Sequence, residues 1–435
     1  MEPPTLKEQG YVPKRYIVAI MAFLGMVSHF VLRVNMNITI VAMVTNSNNT
    51  ITPAQNICKF DDDYDTNNDY DGEFEWDEWT QSLITSAYSI GSIWTQVLGG
   101  RVAELVGARR VLGGALLAAS CSTLFIPLAA RASSGALVAV RVIMGLALGV
   151  TYPSTHALLA TWAPPLERSI LSAIIYAGAQ AGTIVAFPLS AAIIDWQGWE
   201  AVFYIQGCMA LVWCLAWFLI VSDTPYKDTR ITQVERDYIV TSLGDSKNKK
   251  ALPVPLRSAL TSLPFWAILV AGVGNNWGFC TLLTDLPLYT KNMLHKDIKS
   301  NAVLSGLPYL GMWIFSLVVS VTGDTLRQKG ILSTQTLRKV ANTIGHLGPA
   351  VCLVCLSFVE CDRSATIALF VIALTLQGGI YTGYVVNHMD IAPNFAGTLY
   401  GITNTAATVP AILAPMAVGV LTNNQQTFGQ WRKVF

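Results

Sequence analysis

The sequence predicts an all-α integral membrane protein built from two repeated six-helix halves. Three observations carry that reading: the composition, a series of long apolar runs, and an echo between the two parts of the chain. Of 435 residues, 52% are hydrophobic and 13% are charged, about half the charged share of an ordinary soluble domain. Mean hydropathy is +0.46. So few Asp, Glu, Lys and Arg cannot cover the surface of a soluble chain this long. A net charge of +1 offers no basic field for nucleic acid. Low charge and 8 scattered Cys exclude a disordered chain and a secreted disulfide scaffold.

A spanning helix needs about 20 mostly apolar residues, because some 30 Å of hydrocarbon is crossed at about 1.5 Å per residue. Eleven runs qualify, here called segments 1 to 11: 16–44, 80–100, 111–130, 136–160, 169–194, 201–221, 264–289, 302–322, 339–358, 364–386 and 397–421. The first is too long, too polar at its start and too interrupted by Arg33 to be a cleaved signal peptide. Residues 1–222 hold six segments, 223–263 form a charged linker, and 264–435 hold the rest. Six plus six calls for a twelfth segment, and the sequence stops at Gln430–Phe435, where it should begin, so a truncated twelfth span is expected.

Basic residues set the expected orientation. With the N-terminus in the cytosol, cytosolic stretches hold 18 of the 28 Lys and Arg, the opposite side holds 8, and Arg33 and Arg141 lie inside segments. The loop 45–79 is strongly acidic and contains the sequon Asn48-Asn49-Thr50, so Asn48 is the expected glycan acceptor and that loop faces the lumen or the outside. A plasma, lysosomal or vesicular membrane would satisfy this topology.

The halves echo each other. After segment 2 come Glu104, Arg109 and Arg110; after segment 8 come Asp324 and Arg327, with the two acids 220 residues apart. Near the ends of segments 4 and 10 lie His156 with Ala163-Pro164 and His388 with Ala392-Pro393, offset by 229 at the Ala-Pro pair. Duplicated units of this kind place a binding cavity near the bilayer midplane, between the halves. An acid with Arg or Lys a few residues on can latch helix ends in one state and release them in another, so Glu104, Arg109, Arg110, Asp324 and Arg327 are the expected gating groups.

At these residues the chain resembles the major facilitator superfamily, and within it the anion/cation symporters that include sialin, vesicular glutamate transporters and sodium/phosphate cotransporters. The matches are Leu32-Arg33-Val34-Asn35, Gly145 to Pro153, Trp162-Ala163-Pro164-Pro165-Leu166-Glu167-Arg168-Ser169, Asn387 to Pro393 and Gly401-Ile402-Thr403-Asn404. The resemblance runs from about residue 15 to 435 and leans toward sialin at Tyr176 to Gln180. It implies the major facilitator fold and transport of a small anion (a sialic or uronic acid, an acidic amino acid or phosphate) coupled to Na+, H+ or membrane potential. The partners are then the anion, the coupling cation and the lipid bilayer, with no cofactor and no metal.

Arg33 is the sharpest single signal. A charge this deep in a helix costs about 2.5–3.5 kcal/mol on the lenient insertion scale, so it should face a cavity or a partner. Few acids are available as partners within the segments, mainly Asp195 and Asp285. His29, Arg33 and Asn37 recur every four residues and share one helix face, presenting a titratable ring, a fixed charge and an amide. The guanidinium fork binds two oxygens of a carboxylate or phosphate at once. Arg141 can be read as an interfacial anchor, and the resemblance assigns it a cavity-lining role. Asn275 and Asn276 in segment 7, Tyr176 and Gln180 in segment 5, and Asn404 in segment 11 complete the expected binding set; His29 is the expected proton-coupling group.

Departures from the family bear on mechanism. Glutamate transporters carry His where this chain has Thr85 and Arg where it has Asn275, which argues against glutamate loading. They and sialin carry Glu where this chain has Leu148, and Leu cannot bind a proton. The Arg33 charge one turn away disfavours a second positive charge on His29. Coupling to Na+ or membrane potential is therefore expected over coupling to protons. No GxSxG, HExxH or phosphate-cradling loop is present, so enzyme chemistry is not expected. Cys352 and Cys355 form a CxxC inside segment 9, where small apolar residues are ordinary, and Cys58 and Cys361 fall on the same side and could pair. An anion channel or a non-transporting receptor on the same scaffold is the rival reading.

Overall fold

The computed structural model describes residues 12–45, 72–164, 167–243, 256–292, 298–359, 362–392, 396–422 and 428–434. Asn48, Cys58 and Cys361 lie outside them. All eleven apolar runs are helical. The first half is Lys14–Met43, Glu78–Val106, Ala108–Leu124 with Ile126–Ala132, Ser134–Leu148 with Thr151–Trp162, Arg168–Gln197 and Trp199–Ile220. The second is Leu263–Asn292, Ile298–Gln328, Thr334–Leu356, Arg363–Gln377 continuing to Tyr384–Ile391, and Ala396–Thr422, followed by the short Phe428–Val434. Among the described residues, eight helices are long and apolar enough to cross a membrane, or nine with the bent pair of segment 3. Glu78–Val106 and Leu263–Asn292 fall outside that count; both carry polar residues that line the central cavity.

Helix starts follow ordinary capping rules. The side chains of Asp77, Ser133, Ser333 and Asp362 accept backbone N–H bonds of the first turn, at 3.1, 3.1, 3.1 and 2.9 Å respectively, satisfying donors that a helix leaves open. Breaks inside the segments differ from the continuous runs expected. Segment 3 bends by 45° near Phe125, just before Pro127, which has no N–H to carry the ladder on. Segment 4 breaks at Gly149 and segment 10 at Gly378, where a 3-10 turn follows. Those glycines are 229 residues apart, the offset of the Ala-Pro pairs. Each lies against a carbonyl of its neighbour, Gly149 on Ser92 of segment 2 and Gly378 on Met312 of segment 8, so a Cβ at either would push the helices apart. Ser92 and Met312 are themselves 220 residues apart. The internal repeat is thus present in the packing as well as in the sequence.

Within the first half, segment 1 packs on segments 5 and 6, and segment 2 on segment 4; within the second, segment 7 packs on 11 and segment 8 on 10. Small residues permit the close approach that replaces a hydrophobic drive inside lipid: Gly178 and Gly182, four apart on segment 5, face the carbonyls of Phe23 and Val27. The halves meet where segment 2 crosses 11 and segment 5 crosses 8, two contacts that the repeat interchanges.

At the end where the linker emerges, a buried ion network ties the linker to the first half. Arg15 Nε donates to Glu167 at 2.7 Å and Arg15 Nη1 to Glu235 at 3.1 Å. Lys14 lies 3.5 Å from Asp228, and its backbone N–H donates to Glu235 at 2.8 Å. Glu235 lies on the linker helix Gln233–Leu243. Both positive side chains are more than nine-tenths buried and tolerable there only because acids meet them.

Candidate functional site

Between the halves lies a cavity with about 120 Å³ open to water-sized centres, room for several waters or one small anion. Segments 1, 2, 4, 5, 7, 8, 10 and 11 all contribute to its wall. Arg33 is the only Arg, Lys, Asp or Glu among the described residues that line it. No described carboxylate pairs with it. Its guanidinium instead lies 5.1 Å from the Tyr88 ring centre and 5.5 Å from that of Phe30. A cation–π contact of this kind steadies the charge without occupying the fork that would grip an anion.

His29, one turn before Arg33, also lines the cavity. Its Nε2 meets the Tyr88 hydroxyl at 3.1 Å, and its Nδ1 is buried without a partner. Leu148 lies on the same wall and is buried. The position where the resemblance implies an acid therefore faces the cavity and here presents only methyl groups.

Amides of segments 7 and 11 line part of the wall. Asn275 accepts from Gln377 Nε2 at 2.9 Å, and Asn276 Nδ2 donates to the Ala407 carbonyl at 2.7 Å, tying segment 7 to segment 11. Asn404 Nδ2 donates to Gln96 Oε1 at 2.6 Å, and Gln96 Nε2 donates to Thr408 Oγ1 at 2.7 Å. These last two bonds cross between the halves. The wall offers carbonyl and hydroxyl oxygens and amide donors to a hydroxylated or oxygen-rich solute.

Toward the linker end, rings narrow the cavity. His156 of segment 4 stacks on Tyr400 of segment 11, centroids 4.5 Å apart, and His388 of segment 10 meets the other side of the aromatic cluster at 5.2 Å from Tyr400. Tyr152 stacks at 5.9 Å on both Tyr176 and Tyr400. The Tyr176 hydroxyl reaches His156 Nδ1 at 2.8 Å, and His388 Nε2 reaches Thr403 Oγ1 at 2.8 Å. Toward the loop end, Tyr309 lies 6.4 Å from Phe187 and 6.1 Å from Phe279.

Of the expected binding set, Arg33, Asn275, Asn276, Tyr176 and Asn404 line the cavity together with His29. Arg141, Asn37 and Gln180 do not. Arg141 is almost fully buried behind Tyr88, its guanidinium 5.8 Å from that ring and its Nη2 3.5 Å from the Arg33 carbonyl oxygen. Asn37 is buried one turn beyond Arg33 and is engaged there. Gln180 is buried and pairs with Tyr381. The helix twist explains Asn37: successive i+4 steps drift by about 40°, so the third member of the stripe leaves the cavity face.

The expected gating groups sit at the linker end with different partners. Glu104 pairs with Arg101 on its own helix at 3.1 Å and accepts from Thr398 of the other half at 3.5 Å. Arg109 donates its backbone N–H to Asp223 at 3.1 Å and a side-chain N–H to the Phe218 carbonyl, so its guanidinium is engaged by a backbone oxygen and not by Glu104. Gly107, at φ 112°, makes room for the Asp223 carboxylate, which a Cβ there would strike. Arg110 is exposed, Arg327 is engaged, and the side chain of Asp324 lies outside those described.

The residues that sequence reasoning missed are aromatic: Tyr88, Tyr152, Tyr381, Tyr384 and Tyr400, with Gln96. One signal was available. Tyrosine in a span belongs near the interface, where its hydroxyl reaches water, and several of these lie well inside their segments.

A model of the Major Facilitator Superfamily matches residues 16–415. The chain is 42% identical over 428 residues to human sialin, covering 97% of this chain and 85% of sialin. It is 41% identical over 432 residues to a protein of Drosophila melanogaster named "Putative inorganic phosphate cotransporter", covering 97% of this chain and 81% of that one. Human vesicular glutamate transporter 2 is 37% identical over 428 residues, covering 98% and 71%. Among solved structures, a bacterial homologue of the human lysosomal transporter Spinster, inward-facing and occupied, superposes with a TM-score of 0.65 at 14% identity, covering 95% of this chain and 83% of that one. The xylose transporter of E. coli, partially occluded and inward open, gives 0.65 at 14%, covering 97% and 94%. A repeat of six spans, a polar cavity where the repeats meet and relatives at this identity over nearly the whole length agree: the chain belongs to the Major Facilitator Superfamily.

Proposed function

We propose that this protein is a secondary active transporter that carries a small anion across the membrane by alternating access. The observation that carries the reading is Arg33: a lone fixed charge on a cavity shared by both halves, with no described carboxylate against it. An unpaired cation inside a bilayer protein is costly, and an anionic solute supplies what the protein leaves out. The similarity to sialin, to phosphate cotransporters and to a vesicular glutamate transporter supports the same class. Arg33 grips the anion, the amides of Asn275 and Asn404 meet its other oxygens, and the ring stack of His156, Tyr400 and His388 parts to release it at the linker end. The crossings of segment 2 on 11 and segment 5 on 8 are the surfaces on which the halves rock.

Coupling to Na+ or to membrane potential fits the wall better than proton coupling, since Leu148 stands where an acid would load a proton. The N-terminus and linker face the cytosol. Asn48→Gln should then remove an endoglycosidase-sensitive mass shift; a glycan that persists would overturn this orientation.

Counterflow tests the carrier reading. In proteoliposomes, unlabelled anion inside should accelerate entry of the labelled anion. Flux without that acceleration would indicate a channel, and binding without flux a receptor.

A further inference from the structure

We infer that Tyr88 is a positioning residue that keeps Arg141 out of the cavity, so that the site presents one guanidinium and selects singly charged anions over doubly charged ones. This rests on the anion-transport reading above.

Three groups converge on Tyr88. The Arg33 guanidinium carbon lies 5.1 Å from its ring centre and the Arg141 guanidinium carbon 5.8 Å from it. Its hydroxyl holds His29 Nε2 at 3.1 Å. One ring therefore carries two cations, and neither cation is paired with a described carboxylate. Arg33 lines the cavity and Arg141 does not. Arg141 is 1% exposed and its Nε has no partner; its remaining contacts are weak, the Arg33 carbonyl at 3.5 Å and the Met144 sulfur at 3.9 Å. An under-bonded buried guanidinium this close to a polar cavity is held away from it chiefly by the ring.

The backbone places the ring there. Gly145 abuts the Tyr88 carbonyl, and Gly91 abuts that of Val142, so segments 2 and 4 touch closely enough for Tyr88 to cover the Arg141 side chain. With the ring present, the aromatic face offsets part of the repulsion between the two charges and blocks the path of Arg141. Without it, Arg141 can swing toward the cavity. The field there would then suit a dianion, as two adjacent cations do.

The test compares the purified protein's affinity for two probes, glucuronate with one charge and sulfate with two, each read as a ligand-induced thermostability shift. The parent should favour glucuronate by at least about tenfold. Y88F keeps the ring and should keep that ratio. Y88L should lower it by about tenfold or more, through tighter sulfate binding, and adding R141Q to Y88L should restore it. Where Y88L is not recovered folded, Y88M, which keeps bulk without a ring, takes its place. An unchanged ratio in Y88L, or a loss in Y88F equal to that in Y88L, would overturn the inference alone. A parent that binds neither probe would overturn it together with the anion reading.

Discussion

The first helix, Lys14–Met43, carries two arginines in opposite circumstances. Arg15, at the linker end, is met by two carboxylates at 2.7 and 3.1 Å. Arg33, eighteen residues on, has two aromatic rings and no described acid. The first is a structural cation whose charge is spent inside the fold, joining the linker to segment 1 and to the turn after segment 4. The second keeps its charge available to the cavity. A buried arginine is therefore informative about function only once its counter-ion has been sought, and two positions on one helix give opposite answers.

The largest effect should come from breaking the compensated site. Arg15→Ala leaves Glu167 and Glu235 buried without their cation, a change that costs about 3–5 kcal/mol in comparable buried pairs. It should lower the melting temperature and the amount of folded protein at the membrane, while correctly folded molecules still bind anion. A variant as stable as the parent would mean that the cluster is solvated.

Next comes Arg33→Lys, which keeps the charge and loses the fork. Loss of a charge-assisted bidentate contact of about 2–3 kcal/mol predicts a fall in uptake of roughly 30- to 150-fold, with surface expression little changed. Near-normal uptake by Arg33→Ala would erase the distinction between the two arginines.

A smaller effect is expected at Gln96, which ties segment 2 to Asn404 and Thr408 across the halves. Gln96→Leu removes two neutral hydrogen bonds of about 1 kcal/mol each. It should alter counterflow rate by several-fold with little change in apparent affinity. A change confined to affinity would make Gln96 a substrate contact instead.

The smallest effect is expected from an imposed proton gradient on the parent protein, with sodium absent and potential clamped by potassium and valinomycin. Uptake should respond weakly. Leu148→Glu, on the cavity wall, should strengthen the response. Concentrative uptake by the parent under those conditions would mean that His29 or another group carries a proton.

The spans, the repeat and the deep placement of Arg33 were legible in the chain because they depend on composition, helix length and periodicity, which are local properties. Even the equivalence of segments 4 and 10 was visible at Ala163-Pro164 and Ala392-Pro393. The lining of the cavity was legible only in part. Arg141, Gln180 and Asn37 carry the same residue types as their cavity-facing neighbours, yet they lie behind Tyr88, against Tyr381 and one turn too far along the helix. Conversely, Tyr88, Tyr400 and Gln96 look like ordinary core or interface residues until segments 2 and 11 cross. The counter-ions of Arg15 come from positions more than 150 residues away, and no periodicity along the chain reports such distances. Composition and helix length settle which stretches enter the membrane and that one of them carries a deep charge. Only the packing of helix against helix decided which charges are neutralised and which face the cavity, because burial and pairing are set by neighbours distant in the chain.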